Sequence, residues 1–448
     1  MPAPRLAAAD AAWLALDRPR NRMVVTAVLR LDGPVDPAAL CRLVTERLLP
    51  QYPRLSQRVV PRRVPWLRPR WQDDPDFAVR RHVRAVRLDG SVGRAALQDL
   101  VGDLLGRPLD LEAPPWELHV VEGADEAAGR RGAVVARFHH CLADGKALAE
   151  VLLHLTDDAE PGDGPGNGDP GRPSSVDPRD AAHRSGDGAP SRWALVRQAP
   201  SLALEVVRTV AEVVSYLGEP RTALRGRLGT AKAAAWTEPH DLQDVKRVAD
   251  SLGASVNDVL LAALAGGLRR HSERRGSSPR DVRVVVPVDL RAGEPVGREL
   301  GNRFGLVLVR LPVGEPGRFS RLRAVVAATE AAKRSPQAVS THLLVRLVGA
   351  LQRPVSDVAA ALIGGAASAV VTNVPGPRQP LSLLGRQLRS VVFWVPQVGR
   401  IGVGVSIFSY AGTVTIGVAA DARLTVDPEA LAADVDAEIT ELADSVAG

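Results

Sequence analysis

The chain has 448 residues, of which 45% are apolar and 24% are charged. This length exceeds what one hydrophobic core ordinarily organises, and the composition excludes a fibre or a wholly disordered chain. The net charge is +6, and nearly every basic residue is arginine. Most of this arginine excess is typical of a GC-rich genome, and the remainder fits an anionic ligand or an acidic membrane surface. Nucleic acid is not expected as a partner, because aromatic residues are only 4% and form no stripe with the arginines.

The cysteines and the N-terminus bear on where the protein works. Cys41 and Cys141 form neither a disulfide framework nor a metal-ligand pattern, so we expect a reduced, cytoplasmic setting and no metal site. Residues 1–20 lack a secretory signal pattern, because two aspartates interrupt it. The run 358–371, which contains no charged or strongly polar residue, has 14 residues, whereas a membrane span needs about 20. The chain is therefore not expected to span a membrane.

The first 160 residues alternate between strand and helix patterns. Runs of β-branched and aliphatic residues predict strands, and apolar residues at helical spacing predict helices. The predicted strands are 23–31, 117–121 and 133–138, and the predicted helices are 36–49 (capped by Asp36), 94–105 and 146–155.

Residues 161–190 form the clearest boundary in the sequence. They include 7 Gly, 6 Pro and 5 Asp, and no apolar periodicity survives in them. Such a composition predicts a flexible linker. It divides the chain into an N-terminal domain, 1–160, and a C-terminal domain, 191–448.

The C-terminal part again mixes helices with strands. The predicted helices are 193–217, 242–251, 256–270, 319–332, 340–351 and 428–442, and the predicted strands are 282–288, 306–313, 369–372, 390–394, 401–408 and 414–419. This mixture in both parts predicts two α/β sandwich domains. Helix 193–217 carries few charges, which fits either core packing between the domains or a surface that docks on lipid.

Two adjacent histidines end the third predicted strand. Because side chains alternate along a strand, His139 and His140 point to opposite faces, and only one of them can face a given cleft. Asp144 is placed to cap the next helix, although capping alone could explain it, and Gly145 permits a tight turn. Two histidines with Asp-Gly at this spacing favour a catalytic role over a structural one. Cys141 is interpreted as packing, since alternation sends it to the side of His139.

The segment His139-His140-x-x-x-Asp144-Gly145 resembles the motif of the CoA-dependent acyltransferase superfamily, which includes chloramphenicol acetyltransferase, carnitine acyltransferases and nonribosomal-peptide condensation domains. Other segments resemble the bacterial wax ester synthase/diacylglycerol acyltransferase family, and they occur in the order found in that family. These segments are 109–123 (containing PPWELHVVEG), 255–271, 300–312, 370–377 and 404–429. The resemblance covers nearly the whole chain apart from the linker.

The chain departs from the family pattern at two places. The Ser-Pro-Leu-Asp that the family carries near its start is Ala-Ala-Ala followed by Asp10 here, and its Pro-Leu-Trp is Pro114-Pro115-Trp116. Neither departure is expected to touch the histidine motif. Trp116 is assigned to the core, and Asn302 is interpreted as a structural turn residue.

The resemblance implies two chloramphenicol-acetyltransferase-like α/β sandwich domains with an interdomain tunnel. His140 would face the tunnel as the general base, taking the proton of an acceptor hydroxyl as its oxygen attacks the thioester carbonyl of acyl-CoA. A pKa of about 6.5 suits an imidazole to this task. His139, Asp144 and Gly145 would complete the catalytic motif, with Asp144 holding the turn against a basic group. No cofactor is implied, because acyl-CoA is the co-substrate. The implied acceptor is diacylglycerol or a long-chain fatty alcohol.

Three further residues are candidates for substrate binding. Asn257 could donate a hydrogen bond to the oxyanion that develops on the thioester carbonyl. The alternative is that Ser255 and Asp258 form only a helix cap around it. The composition of residues 372–377 predicts a turn, and Asn373 could do no more than stabilise it. By resemblance, this segment with Thr372 and Asn373 borders the tunnel.

The leading hypothesis is an acyl-CoA-dependent O-acyltransferase, located in the cytoplasm and peripheral at the inner membrane face or at lipid inclusions. Acyl transfer to another hydroxyl or to an amine, as in condensation domains, would use the same base, although no carrier domain is recognised in the sequence. The alternative of another class is a lipid-binding protein that has lost turnover. That alternative predicts erosion of the base, whereas His140, Asp144 and Gly145 are intact.

Overall fold

Two mixed β-sheets form the frame of the molecule. The computed structural model describes residues 4–62, 67–89, 92–123, 131–158, 211, 214, 215, 222–291, 294, 296–351 and 353–447. The strands are β1 (Val24–Leu31), β2 (Gln57–Val60), β3 (Arg70–Asp73), β4 (Val83–Leu88), β5 (Trp116–Gly123), β6 (Gly132–His139), β7 (Lys232–Trp236), β8 (His240–Asp241), β9 (Val282–Asp289), β10 (Phe304–Leu311), β11 (Ala369–Pro375), β12 (Ser382–Leu383), β13 (Arg386–Trp394), β14 (Val403–Tyr410) and β15 (Thr413–Asp421). The first sheet has the order β12-β13-β1-β6-β5-β4 and the second the order β10-β9-β11-β14-β15-β7, with β8 paired to β15. The strands β2 and β3 pair separately.

Helices connect and cover these sheets. They are Ala8–Leu16, Pro37–Leu43 (continued by a π-helical turn, Val44–Leu48, and by Leu49–Gln51), Pro53–Ser56 in 3-10 form, Val79–His82, Arg94–Gly106, Gly145–Leu153, Leu242–Ser251, Val256–Arg274, Arg318–Arg334, Gln337–Leu351, Arg353–Ala366 and Pro428–Ala447. The strands and helices predicted within the described residues are all present, with bounds that differ by a few residues. The α/β class is therefore confirmed. The predicted linker 161–190 and the predicted helix 193–217 lie outside the described residues, apart from isolated positions of the helix.

The central strands of the first sheet are buried on both faces. All eight residues of β6 are buried. Alternation along β1 sends Val25, Ala27 and Leu29 to a core beneath helix Gly145–Leu153, while Val28 faces a second core that contains Trp236 of the second sheet. This second core also holds Trp394 of β13, whose ring centroid lies 5.8 Å from that of Trp236. The two sheets therefore pack on each other through large apolar side chains.

A strand from the C-terminal part of the chain completes the first sheet. The strand β13 pairs antiparallel with β1, from Thr26 opposite Trp394 to Leu31 opposite Leu388. On its other side β1 pairs antiparallel with β6, with Val24 opposite His139. The first sheet therefore combines strands from the N-terminal and the C-terminal parts of the chain. The predicted division at residues 161–190 stays a prediction.

Two helices near the site were not predicted. Helix Ala8–Leu16 begins after Ala7, which makes no side-chain capping bond, so the sequence carries no start signal for it. It packs against helix Gln337–Leu351, where a Cβ atom on Gly349 would lie 1.6 Å from the carbonyl oxygen of Ala8. This close approach requires glycine and sets the position of the N-terminal helix. Helix Arg353–Ala366 was also missed, since a proline follows its first residue.

Helix Val256–Arg274 begins with the capping box that its sequence predicts. The hydroxyl of Ser255 accepts a hydrogen bond from the backbone N–H of Asp258, and the Asp258 carboxylate accepts one from the backbone N–H of Ser255. Among the described residues, no single helix is long and apolar enough to cross a membrane. The bent pair Leu242–Ser251 and Val256–Arg274 meets that test jointly, by length and composition only.

Candidate active site

His139, the last residue of β6, is a buried structural residue. Its Nδ1 accepts a hydrogen bond from the backbone N–H of Cys141 (3.1 Å), and its Nε2 lies 3.1 Å from a carboxylate oxygen of Asp17. Both ring nitrogens are therefore engaged within the protein. The backbone N–H of His139 donates to the carbonyl oxygen of Pro115 (2.9 Å), which is the position at which the chain departs from the family's Pro-Leu-Trp. The contact is made by the backbone, which any residue at that position could supply.

The side chain of His140 points to the face opposite that of His139, and contacts with Met23, Asn302 and Trp13 hold the residue in place. Its backbone N–H donates to the carbonyl oxygen of Met23 (2.7 Å), and its Nδ1 lies 2.9 Å from Oδ1 of Asn302. The indole of Trp13 stacks on the imidazole, with ring centroids 4.3 Å apart. Within the described part of the chain, no group hydrogen-bonds to Nε2. Burial lowers the pKa of His140 to about 4, against the negative charge of Asp144, which raises it. The imidazole is therefore neutral near pH 7.

Asp144 holds the turn that follows the histidines. One carboxylate oxygen accepts the backbone N–H of Ala147 (3.1 Å) and caps helix Gly145–Leu153. The other oxygen accepts Nη2 of Arg291 (2.6 Å) and the backbone N–H of Arg303 (3.0 Å). The side chains of Asp144 and Arg291 are 5% and 4% exposed, so this is a buried ion pair. The structure thus combines the two predicted roles of Asp144, a helix cap and a contact with a basic group.

A loop from the C-terminal part closes over the motif. The carbonyl oxygen of Gly301 accepts the backbone N–H of Asp144 (3.3 Å), and Gly301 has a φ of 118°, which favours glycine. The next residue, Asn302, donates from Nδ2 to a carboxylate oxygen of Asp10 (2.9 Å) and to the carbonyl oxygen of His140 (2.8 Å). The interpretation of Asn302 as a mere turn residue is therefore wrong, because its side chain contacts His140 directly.

Asp10 brings the N-terminal helix into the same cluster. Its side chain is buried and also accepts the backbone N–H of Asn302 (3.1 Å). Burial raises the pKa of Asp10 to about 6, whereas the hydrogen bonds from Asn302 and the charge of Arg54 lower it. Asp10 is the one residue of the family's N-terminal motif that this chain keeps. In the structure, Asp10 is linked to His140 by hydrogen bonds through one intervening residue, Asn302.

An apolar cavity begins beside the motif. Its floor is the face of the first sheet that continues to His140, and its roof is helix Gly145–Leu153. The lining residues are Val25, Ala27, Leu29, Phe138, Gly145, Leu148, Ala149, Leu152, Leu153, Thr156, Val374, Leu388, Val391, Phe393 and Phe408, and the empty space among them, open solvent included, is about 580 Å³. No lining residue is charged. Val374 and Phe408 come from the second sheet, so both sheets contribute to the wall.

Comparison with known proteins identifies the family to which the chain belongs. The model of the wax ester synthase/diacylglycerol acyltransferase catalytic domain matches residues 6–260, and that of the family's C-terminal domain matches residues 300–443. This chain belongs to the wax ester synthase/diacylglycerol acyltransferase family. A relative from Mycobacterium tuberculosis, named "Probable diacyglycerol O-acyltransferase tgs1", is 30% identical over 437 residues, which cover 94% of this chain and 91% of the relative. The chain is therefore an acyltransferase.

Solved structures show the same fold. The wax ester synthase/diacylglycerol acyltransferase of Marinobacter aquaeolei VT8 aligns over 99% of this chain and 100% of its own, with a TM-score of 0.70 and 20% identity. The first condensation domain of the calcium-dependent antibiotic synthetase, in complex with a substrate analogue, aligns over 99% of this chain and 96% of its own, with a TM-score of 0.60 and 18% identity. The predicted pair of chloramphenicol-acetyltransferase-like α/β domains is confirmed by these likenesses.

Of the three predicted substrate-binding residues, Thr372 and Asn373 lie in strand β11 of the second sheet, and Asn257 lies in the first turn of helix Val256–Arg274. The predicted turn is therefore wrong at Thr372 and Asn373, which are part of the strand. Nδ2 of Asn373 donates to Oδ1 of Asn257 (3.1 Å), whereas the side chain of Thr372 is buried on the opposite face of β11. Alternation along β11 puts Asn373 on the face opposite to Val374, which lines the cavity. The two amides therefore contact each other and do not line this cavity. Their contact with substrate stays a prediction.

Two other predictions concern side chains near the motif. Cys141 follows the end of β6, so alternation does not determine its side, and it packs in the core beneath helix Gly145–Leu153. Burial raises the pKa of its thiol well above the ordinary value, which agrees with a packing role. Trp116 is likewise buried, with its indole N–H donating to the carbonyl oxygen of Leu55 (2.7 Å), as its assignment to the core requires.

Replacing Arg291 with alanine is expected to destabilise this acyltransferase by about 3–5 kcal/mol, because the Asp144 carboxylate would remain buried without its ionic partner. Urea unfolding measures the change. Arg303→Ala is the matched control, since the Arg303 side chain pairs with Glu294 at the surface, where both side chains are more than half exposed. The control should cost less than about 1 kcal/mol. Equal losses in the two variants would contradict the assigned role of the Asp144–Arg291 pair.

Proposed function

We propose that this chain transfers a long-chain acyl group from acyl-CoA to the hydroxyl of diacylglycerol or of a long-chain alcohol, with His140 as the general base. The observation that carries this proposal is the state of the His140 ring. Its Nδ1 is committed to Asn302, its Nε2 has no partner among the described residues, and an apolar cavity begins a few residues away at Gly145. The names of the relatives supply the two acceptors, diacylglycerol and, for the family, the alcohol of a wax ester.

The reaction needs one proton to move twice. His140 Nε2 takes the proton of the acceptor hydroxyl as the oxygen attacks the thioester carbonyl carbon. The tetrahedral intermediate then collapses, the carbon–sulfur bond breaks, and the imidazolium returns the proton to the departing thiolate of CoA. The products are the ester and free CoA, and no covalent acyl-enzyme is required. Positioned base catalysis of this kind accelerates reactions by about 10²–10⁴.

The apolar cavity supports binding of an alkyl chain of the acyl group. It runs between helix Gly145–Leu153 and the sheet face that ends at His140, so a chain lying there would place its carboxyl end near the imidazole. Among the fifteen residues that line the cavity, Thr156 alone carries a side-chain hydroxyl. A hydrocarbon chain loses water on entering such a surface and needs no polar partner. Contact of the protein with a membrane or a lipid inclusion, from which a lipid acceptor would come, stays a prediction.

Changing His140 to alanine is expected to lower kcat by about 10²–10⁴, because the base is removed while the cavity remains. The measurement is thiol release from palmitoyl-CoA with diolein, with hexadecanol and with no acceptor. His240→Ala is the matched control, since His240 lies on β8 and pairs with Asp436, away from the motif. Release that depends on an acceptor and collapses only in the His140 variant would support the proposal. Undiminished turnover in that variant would remove His140 as the base.

The pH dependence follows from the burial of His140. Because its pKa is lowered to about 4, the imidazole stays neutral as the pH falls through the range in which an ordinary histidine becomes charged. We expect kcat/KM to keep most of its pH 7.5 value at pH 6. A histidine with a pKa of about 6.5 would by then be only about one quarter neutral. A loss of about three quarters of kcat/KM at pH 6 would contradict the assigned environment of His140.

Filling the cavity should change which acyl chains are accepted. Ala149 lines the cavity from the helix, and Ala149→Phe would occupy space that a long chain needs. We expect kcat/KM for palmitoyl-CoA to fall at least about tenfold more than kcat/KM for hexanoyl-CoA, because a short chain leaves part of the cavity unused. Ala367→Ser, at a buried position that is not among the residues lining the cavity, is a control that should not change the ratio. Equal losses for the two thioesters would argue against an acyl chain in this cavity.

A further inference from the structure

The side-chain amide of Asn302 can adopt only one orientation. Two acceptors face one end of it, namely the carboxylate oxygen of Asp10 at 2.9 Å and the carbonyl oxygen of His140 at 2.8 Å. An amide oxygen placed there would face two other oxygens, so this end must be the NH₂ group. The opposite end, Oδ1, then lies 2.9 Å from Nδ1 of His140. Since Oδ1 can only accept a hydrogen bond, the proton of a neutral His140 is on Nδ1.

We propose that Asn302 and Asp10 are positioning residues that hold His140 in the Nδ1–H tautomer and thereby leave the Nε2 lone pair for the acceptor proton. The inference deepens the proposed function and rests on His140 being the base. Asn302 contacts the imidazole, and Asp10 acts through Asn302. The other tautomer would place the unprotonated Nδ1 against the Asn302 oxygen, where two acceptors meet without a proton.

Asp10 has the environment that this role requires. It is 6% exposed and receives two hydrogen bonds from Asn302, one from the backbone N–H and one from the side chain. The charged groups that face Asp10 are Arg54 and Asp144. Those that face His140 are Asp144 and, as a titratable neighbour, His139. The carboxylate is too far along the network to take the proton itself, so its effect is on the orientation of Asn302.

The same geometry serves the second half of the reaction. When Nε2 has taken the acceptor proton, Nδ1–H still donates to Asn302 Oδ1, and the ring does not need to rotate before it returns the proton to the thiolate. The indole of Trp13, stacked on the ring at 4.3 Å, opposes such rotation. A ring fixed in this way spends no free energy on reorganisation during turnover.

Kinetic measurements on variants of Asn302 and Asp10 distinguish a role in orienting the His140 ring from a role in packing alone. Asn302→Ala should lower kcat about 10–10³-fold while KM for palmitoyl-CoA changes less than about threefold, because the amide contacts His140 and not the substrate. Asn302→Asp places a carboxylate at Nδ1, and the acid limb of kcat/KM should move up by at least about one pH unit. Asp10→Asn keeps an acceptor for Asn302 and should retain most of the activity that Asp10→Ala loses. A packing role would not move the acid limb or give this rescue.

The tautomer can also be observed without relying on activity. In the full chain carrying ¹⁵N-labelled histidine, the His140 signals are those lost in His140→Gln, and we expect a protonated Nδ1 and an unprotonated Nε2 at pH 7.5. The opposite tautomer, or wild-type kcat and pH profile in Asn302→Ala, would overturn the inference even if His140→Ala is inactive. Full activity in His140→Ala would instead overturn the proposed function, while the spectrum would still report the tautomer. A variant that fails to fold leaves the wild-type spectrum as the deciding measurement.

Discussion

The buried carboxylate of Asp144 is the contact on which the site depends. A charge in the interior is costly unless it is paired and hydrogen-bonded, and Asp144 meets this condition through Ala147, Arg291 and Arg303. Ala147 belongs to the helix that roofs the cavity, whereas the other two donors belong to the C-terminal part of the chain. One carboxylate therefore fixes the start of the roof and docks the loop that carries Asn302. The position of the histidine partner and the shape of the cavity are consequences of the same group.

Two features of the surroundings of His140, its burial and the nearby charge of Asp144, act on the protonation of the imidazole in opposite directions. Burial disfavours the imidazolium and keeps the base neutral, which makes it ready to accept a proton but a weaker acceptor. The nearby charge of Asp144 acts in the other direction and favours the imidazolium once it forms. Asn302 adds a neutral acceptor at Nδ1, which orients the ring without the large rise in pKa that a carboxylate there would cause. A neutral amide next to the ring and a carboxylate one step beyond it together give a base that is uncharged at rest and supported during transfer.

The sequence predicted local features of this site and missed its long-range contacts. The strand that delivers His139 and His140, the cap at Asp144 and the capping box at Ser255 all follow from patterns within a few residues, and the structure has them. Asp10 and Asn302 are 292 positions apart, and no local pattern indicates that their side chains meet. Helix Ala8–Leu16, which carries Asp10, lacks a capping side chain, so no start signal in the sequence predicts this helix. The Asp of the family's N-terminal motif was the available signal, because a single retained residue in an altered motif suggests a function of its own.

The cavity explains why the two halves must act as one unit. Its floor needs three neighbouring strands, and one of them, β13, comes from the C-terminal part and supplies Leu388, Val391 and Phe393. Its wall needs Val374 and Phe408 from the second sheet. The same strand β13 places Trp394 on its other face, against Trp236 between the sheets. Alternation along a single strand thus joins cavity formation to the packing of the sheets, so the apolar site cannot form before the two sheets have docked. The histidine motif lies in the N-terminal part, but the surroundings that make it a base are completed only by the C-terminal part.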